Sequence, residues 1–139
     1  MRIMIDTNVL ISAVLFPNPL MTKLLDKVAL EHTLVLASFI MEELQMLFET
    51  KFSGKKILLD RFLSKYSYDF VYTPVDIDPN DYPKIRDKKD LPILASAIIA
   101  SVDMIITGDK DFFDVDASDF GAEFPTIVTP REFTDGFMS

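Results

Sequence analysis

Short apolar runs alternate with amphipathic stretches along the whole chain, with no repeat and no low-complexity segment. Arg2 to Ile5 is one apolar run, closed by Asp6-Thr7-Asn8. Val102 to Thr107 is another, interrupted at Asp103 and closed by Gly108-Asp109. Thr33 to Ala37, Asp69 to Thr73 and Thr126 to Val128 complete the set. Runs of this length bounded by turn residues read as buried strands. Helical patterns lie between them. One covers Leu20 to Leu30, a second is capped by Ser38 and reaches about Phe52, and a third, past Gly54, covers Lys55 to Tyr66. A fourth spans Asp90 to Ser101, with Pro92 in its first turn, where a missing N–H is tolerated. The segment after the first strand, with Pro17 and Pro19, reads as a loop, as does Pro74 to Pro83, where Asp76, Asp78, Asn80 and Asp81 stand among prolines. Strands alternating with helices predict an α/β fold, a three-layer α/β/α sandwich around a mostly parallel central sheet.

Composition bounds the rest. A chain of 139 residues is expected to form one domain over residues 1–139, large enough to bury a core without disulfides. Apolar residues make up 49% and the mean hydropathy is +0.22. No apolar run approaches the roughly 18 residues that cross a bilayer, and Met1 to Ile5 is too short for a signal-peptide core. A soluble cytoplasmic protein without a membrane partner is expected. The absence of cysteine excludes thiolate metal sites, thiol catalysis and disulfides. Any metal must be held by oxygen or by the single histidine, His32, which at a helix-to-strand junction reads as a surface or turn residue.

A net charge of −8 argues against a protein that holds nucleic acid by bulk charge. The charge is segregated, however. Between residues 51 and 65, Lys51, Lys55, Lys56, Arg61 and Lys65 face only Asp60, whereas residues 103–123 are dominated by Asp103, Asp109, Asp111, Asp114, Asp116, Asp119 and Glu123. The basic stretch reads first as a solvated helix face and second, with Arg86, Lys88 and Lys89, as a phosphate-contacting surface. Met46, Leu47, Phe48 and Phe52 at helical spacing read as core or an oligomer face. Phe112-Phe113 reads as packing for the turn beside it, or as a ring offered to a base.

Four acidic signatures punctuate these elements: Asp6 in IMIDTN, Glu43 in MEEL, Asp90 in RDKKDLPILASA and Asp109 in IITGDKDF. In an open parallel sheet, ligands bind beyond the carboxyl ends of the strands, where strand order reverses. Two acids that each end an apolar strand, Asp6 and Asp109, can share that edge. Asp also caps helices and turns, and each acid alone fits that role equally well. Asp90 before an apolar helix is a favoured N-cap, with Asp87 competing for the assignment. On a helix turning about 100° per residue, Ile40, Met41, Leu44, Leu47 and Phe48 form one apolar arc. Glu43 borders that arc and Glu42 points away from it.

In order, spacing and flanking apolar pattern, IDTNVLISA, SFIMEELQMLF, RDKKDLPILASAIIASVDMIITGDKDF and IVTPREF together resemble the PIN-domain family over nearly the whole chain. The small prokaryotic PIN proteins assigned as toxins of toxin–antitoxin pairs are the most similar group. The resemblance implies helices about a parallel sheet, an acidic cleft holding Mg²⁺ or Mn²⁺, and endoribonuclease activity on an RNA substrate. It places the catalytic and metal-binding acids on Asp6, Glu43, Asp90 and Asp109, with Asp111 as an additional metal ligand. Asn8 and Thr107 match the polar positions that orient carboxylates or water. An antitoxin protein and a homodimer are the implied partners.

The implied chemistry is hydrolysis of a phosphodiester by one or two hard divalent ions, with no need of a catalytic histidine. Bound cations would invert the local potential and so admit a polyanion to an acidic protein. Two alternatives remain. One is a PIN nuclease of RNA maturation. The other is an Asp-based receiver-like or noncatalytic binding module, which leaves Glu43 and Asp90 idle and lacks a lysine in Thr126 to Thr129.

Overall fold

In the computed structural model, which describes residues 1–116, 118 and 124–137, five strands form one sheet in the order β3-β2-β1-β4-β5. The strands are β1 (Arg2–Ile5), β2 (Thr33–Ala37), β3 (Asp69–Val71), β4 (Met104–Ile106) and β5 (Thr126–Val128). Every pairing is parallel. Ile3, Met4 and Ile5 are consecutive and all buried, as are Met104, Ile105 and Ile106. Successive strand side chains point to opposite faces, so both faces of the central strands are covered, as a parallel sheet requires. The helices are α1 (Thr7–Leu15), α2 (Pro19–Glu31), α3 (Ser38–Glu49), α4 (Lys56–Lys65), α5 (Leu91–Ile99) and α6 (Pro130–Phe137). Together they make the expected α/β/α sandwich.

Two local expectations are corrected, and one further helix is added. The segment after β1 is not a loop: α1 starts directly at Thr7 and buries Val9, Leu10, Ala13 and Val14. Its apolar residues are so dense that no polar face advertises a helix, and short apolar runs do not separate helix from strand. Helix α6 was also unanticipated. Its start carries a capping box, Thr129 Oγ1 accepting from Glu132 N and Glu132 Oε1 from Thr129 N, both at 3.0 Å, with Pro130 at the first helical position. Third, Ser38 does not cap α3. Ser38 is already helical, and its Oγ accepts from Thr73 N at 2.9 Å, while Thr73 Oγ1 accepts from Phe39 N at 3.0 Å. Ser96 Oγ in α5 donates to the same Thr73 hydroxyl at 2.8 Å. Thr73 thus pins the amino end of α3 to the body of α5, two site-bearing helices.

The remaining elements end where their residues dictate. Helix α3 stops at Glu49, short of Phe52, and α4 begins only after a 3-10 turn over Ser53–Lys55. Helix α5 closes through Ser101, whose φ of 54° is left-handed, with Ser101 N donating to Ile98 O and Val102 N to Ala97 O. That is the Schellman arrangement, adopted here without glycine. Leu24, Val28, Ile40, Leu44, Phe48, Leu94 and Phe133 fill the space between helices and sheet. No described helix is long and apolar enough to cross a membrane.

Candidate active site

Strand order reverses between β1 and β4: the chain runs outward from β1 to β2 and β3, then returns to the other side of β1 as β4. The crevice at that switch point is where a doubly wound sheet binds ligands. Asp6 is the first residue beyond β1, and its N–H donates to Ile106 O at 2.9 Å, extending the β1–β4 ladder by one bond. Its carboxylate is buried at 3% exposure, and Oδ2 accepts from Thr107 Oγ1 at 2.8 Å. The same Thr107 oxygen accepts from Asp109 N at 3.0 Å. Asp109 Oδ1 accepts in turn from Asp111 N at 2.9 Å, so the residues after β4 fold into a 3-10 turn over Lys110–Phe112 that presents both acids. Burial raises the Asp6 pKa, hydrogen bonds from Thr107 and the Thr7 backbone hold it down, and repulsion from Asp109 raises it further.

Glu43 reaches this cluster from α3, where Ile40, Leu44 and Phe48 of the same helix are buried. Its Oε1 accepts from Thr7 Oγ1 at 2.8 Å, which ties α3 to the first residue of α1. Burial pushes its pKa up, the Thr7 hydrogen bond opposes this, and Asp6 adds repulsion. Glu42 is exposed, as the helical arc predicts.

Asp90 does not cap α5: it has helical dihedrals and makes no side-chain cap bond. The capping is done one turn earlier by Asp87, whose Oδ1 accepts from Lys89 N at 3.0 Å. Asp90 is thereby left free for another role. Its Oδ2 is buried and receives no hydrogen bond from an N–H or O–H donor. Burial, a side-chain hydrogen bond between the Asp90 and Asp109 carboxyls, and repulsion from Asp109, Asp6 and Asp87 together push its pKa up to about 8. Carboxyl oxygens of Asp87, Asp90 and Asp111 lie within 4.8 Å of one another.

The acids named from sequence therefore gather at one crevice. Asp6 and Asp90 both feel Asp109, Glu43 feels Asp6, and Asp111 joins through Asp90 and through its bond to Asp109. Thr107 orients two of them. Asn8 does not share that role: it is exposed on α1 and makes no side-chain hydrogen bond to an acid among the described residues. One contributor was not singled out, and another was named only as a rival of Asp90. Thr7 stands inside the DTN signature, but nothing in its sequence marks it as the partner of Glu43. Asp87 appears in RDKKD as a rival cap, and its spacing of three residues from Asp90 is the signal that both face one side.

An oxygen-only donor set suits a hard divalent ion of the Mg²⁺ or Mn²⁺ type. The buried, donorless Asp90 Oδ2 is what such an ion would satisfy, since a buried polar atom without a partner costs stability. Arg86 stands at the rim, its guanidinium 3.9 Å from Asp111 and 3.8 Å from Asp114. Lys51, Lys55, Lys56, Arg61 and Lys65 are exposed on and beside α4. Lys51 and Lys65 lie over the rings of Phe52 and Tyr66. Phe112 is buried and packs the turn, while Phe113 is exposed. His32 precedes β2 at the opposite end of the strands and accepts from the chain's amino terminus at Nδ1.

Comparison with known proteins bears on what this crevice belongs to. No curated protein matches the chain in sequence. Among solved structures, VapBC2 from Rickettsia felis, bound to a DNA fragment from their promoter, superposes with a TM-score of 0.70 at 18% identity. The match covers 93% of this chain and 98% of the other, and it establishes a shared fold. The PIN-domain family model matches residues 2–111, a span that opens on β1, contains all the acids gathered at the crevice and closes on Asp111. On that match the chain belongs to the PIN-domain family, whose members are nucleases.

Proposed function

We propose that this protein is a metal-dependent endoribonuclease, with Asp6, Glu43, Asp90 and Asp109 as its essential acids and Asp87 and Asp111 completing the ion-binding set. The observation that carries this reading is Asp90 Oδ2, a buried oxygen without a hydrogen-bond partner on a half-buried carboxyl that neighbouring carboxylates repel. Such a cluster costs stability on its own and becomes favourable when a divalent cation enters it.

A bound Mg²⁺ or Mn²⁺ would supply positive charge to the attacking and leaving oxygens of an in-line displacement at phosphorus. The chain's part is to hold the donors still. Thr107 fixes Asp6 and the start of the Asp109 turn, and Thr7 fixes Glu43. To hold a divalent ion with its neighbours, Asp90 would need to be ionised, and so would give up the proton that burial and Asp109 favour there. Dense negative charge then becomes a site that attracts a phosphate.

The superposition on VapBC2, a toxin–antitoxin complex, supports a toxin role with an antitoxin protein as partner. A homodimer in the cytoplasm accompanies that reading. Family membership favours the nuclease over the receiver-like module, and RNA maturation is separated from a toxin role by the RNA that is cut.

The test is cleavage of a labelled single-stranded RNA panel with Mg²⁺ or Mn²⁺, with EDTA, and with purified Asp6→Asn and Asp109→Asn proteins. Metal-dependent cutting that vanishes in both folded variants supports the proposal. Equal cutting by the variants would assign the activity to a contaminant and overturn it.

A further inference from the structure

An open slot of about 370 Å³ adjoins the acid cluster and shares Asp109 with it. It is lined by the buried Val9 and Met21, by Pro130 at the start of α6, and by the exposed Asn8, Ser12 and Gly108. Asn8 and Ser12 lie four residues apart on α1 and so project on the same side of the helix. Both are exposed, and neither side chain makes a hydrogen bond within the described residues. A carboxamide and a hydroxyl beside an apolar wall are the groups that read the edge of a planar, hydrogen-bonding ring. The volume is at the lower end of the roughly 300–1,000 Å³ of ligand pockets, which suits one base with part of its sugar.

We infer that this slot is a nucleobase subsite, in which the base of a nucleotide flanking the cleaved bond packs against Val9, Met21 and Pro130 and is read by Asn8 and Ser12. The inference rests on the nuclease reading for the meaning of the neighbouring phosphate. Sequence-specific RNA recognition takes an unstacked base onto a side-chain surface, most often an aromatic ring or a guanidinium plane, and bonds its edge; here Val9, Met21 and Pro130 supply an aliphatic surface in that place. Asp109 fixes the order of parts along the strand: the same residue borders both the slot and the acids, so base and phosphate would belong to adjacent positions. This also accounts for Asn8, which stands beside Asp6 in sequence and yet makes no bond to the acids.

Gly108 makes the proposal separable from folding. A Cβ added there meets nothing within 4 Å and its φ is not left-handed, so alanine fits without strain, and a longer side chain would start from a residue that lines the slot. Gly108→Leu should obstruct the slot, Gly108→Ala should not, and both should melt with the original protein.

The binding experiment is an NMR titration of the ¹⁵N-labelled protein, with Mg²⁺, using the 5′-monophosphates of adenosine, guanosine, cytidine and uridine, with ribose 5-phosphate as the base-free control. The expected result is base-dependent shifts at the Asn8 side-chain amide and at the Ser12 and Gly108 backbone, lost in Gly108→Leu and altered in Asn8→Ala. Shifts that ribose 5-phosphate reproduces, or shifts at the acids alone, would overturn the subsite. Cleavage of RNAs randomised around the cut is the second readout. The original protein should prefer one base at a fixed distance from the cut, and Gly108→Leu should lose the preference and roughly tenfold or more in kcat/KM, within the range of one lost base contact. Unchanged preference in Gly108→Leu would also overturn the subsite. Base-dependent shifts in a protein that cuts nothing would instead sink the nuclease reading and leave the subsite standing.

Discussion

Thr107 donates its hydroxyl to Asp6 Oδ2 at 2.8 Å and receives the Asp109 N–H on the same oxygen at 3.0 Å, so one fully buried side chain sets two carboxylates at the strand crossover. Thr107→Val keeps the shape and removes both bonds. A donor and an acceptor then remain without a partner in or near the core, a loss of about 1–3 kcal/mol for the unsatisfied groups. Since the removed hydrogen bond also lowers the Asp6 pKa, Asp6 becomes harder to ionise and metal binding weakens. Urea unfolding should show the stability loss, and cleavage should fall about 10–100-fold. Thr107→Ser should recover most of both, an outcome that loss of packing alone would not produce.

The central strands and the two strand-end acids were legible because their signals are local. Ile3 to Ile5 and Met104 to Ile106 are apolar runs closed by acids, and right-handed parallel topology places neighbouring strand ends together. Glu43 was legible from helical periodicity, which turns it about 100° from Glu42. Other features depend on contacts between distant residues. The bond from Thr7 to Glu43 joins positions 36 apart, and the Phe39 N–H at the start of α3 is taken by Thr73 Oγ1, 34 positions away, where a Ser38 cap was expected. Helix α1 is hidden by its own apolar density. Helix α6, by contrast, announces itself in Thr129-Pro130-Arg131-Glu132, a capping box with proline at its first position.

Glu43 and Glu42 provide an internal control. Glu43→Gln keeps the size of the side chain and removes its charge from the cluster. Ion binding should weaken at least about tenfold, and the metal-free protein should become no less stable, since burial and Asp6 already disfavour the charged form. Glu42→Gln alters an exposed group and should stay within about 0.5 kcal/mol in stability, with unchanged Mn²⁺ affinity by calorimetry. Equal effects from both would remove Glu43 from the site.

Arg86 is 75% exposed, and its ion pairs with Asp111 and Asp114 are 3.9 and 3.8 Å long. Exposed pairs of this kind contribute about 0–1 kcal/mol, so Arg86→Ala should leave the melting temperature nearly unchanged. If the guanidinium contacts phosphate, RNA affinity should fall and the slope of log K against log salt should flatten by about one unit. Fluorescence anisotropy over a salt series measures both. Retention of the full slope would leave Arg86 with its acidic neighbours only.

Ser101 offers a gain of stability far from the crevice. Its φ of 54° closes α5, and a residue with a Cβ pays roughly 1–2 kcal/mol for that conformation. Glycine avoids the clash but loses more freedom on folding, which offsets about 0.4–1 kcal/mol. Ser101→Gly should therefore stabilise by about 0.5–1 kcal/mol in urea unfolding, with cleavage unchanged.

The pH response follows from Asp90, whose pKa is pushed from the ordinary 3.8 to about 8 by burial, the side-chain hydrogen bond with Asp109, and repulsion from Asp109, Asp6 and Asp87. Between about pH 4 and pH 8 the folded protein holds the Asp90 proton while the unfolded chain has released it. The folded state thus binds more protons, and stability without metal falls as pH rises through that window. Asp6 and Glu43, raised as well, act with the same sign. Ion binding runs the other way, because it requires the ionised forms and releases the protons. With EDTA, the melting temperature should drop from pH 5 to pH 8, and Asp90→Asn should remove most of that drop. With Mg²⁺ the decline should shrink or reverse, and calorimetry at pH 7 in buffers of different ionisation enthalpy should record proton release on binding. A metal-free protein that grows more stable from pH 5 to pH 8 would show that Asp90 is already ionised and solvated, and would deprive the crevice of its stored demand for a cation.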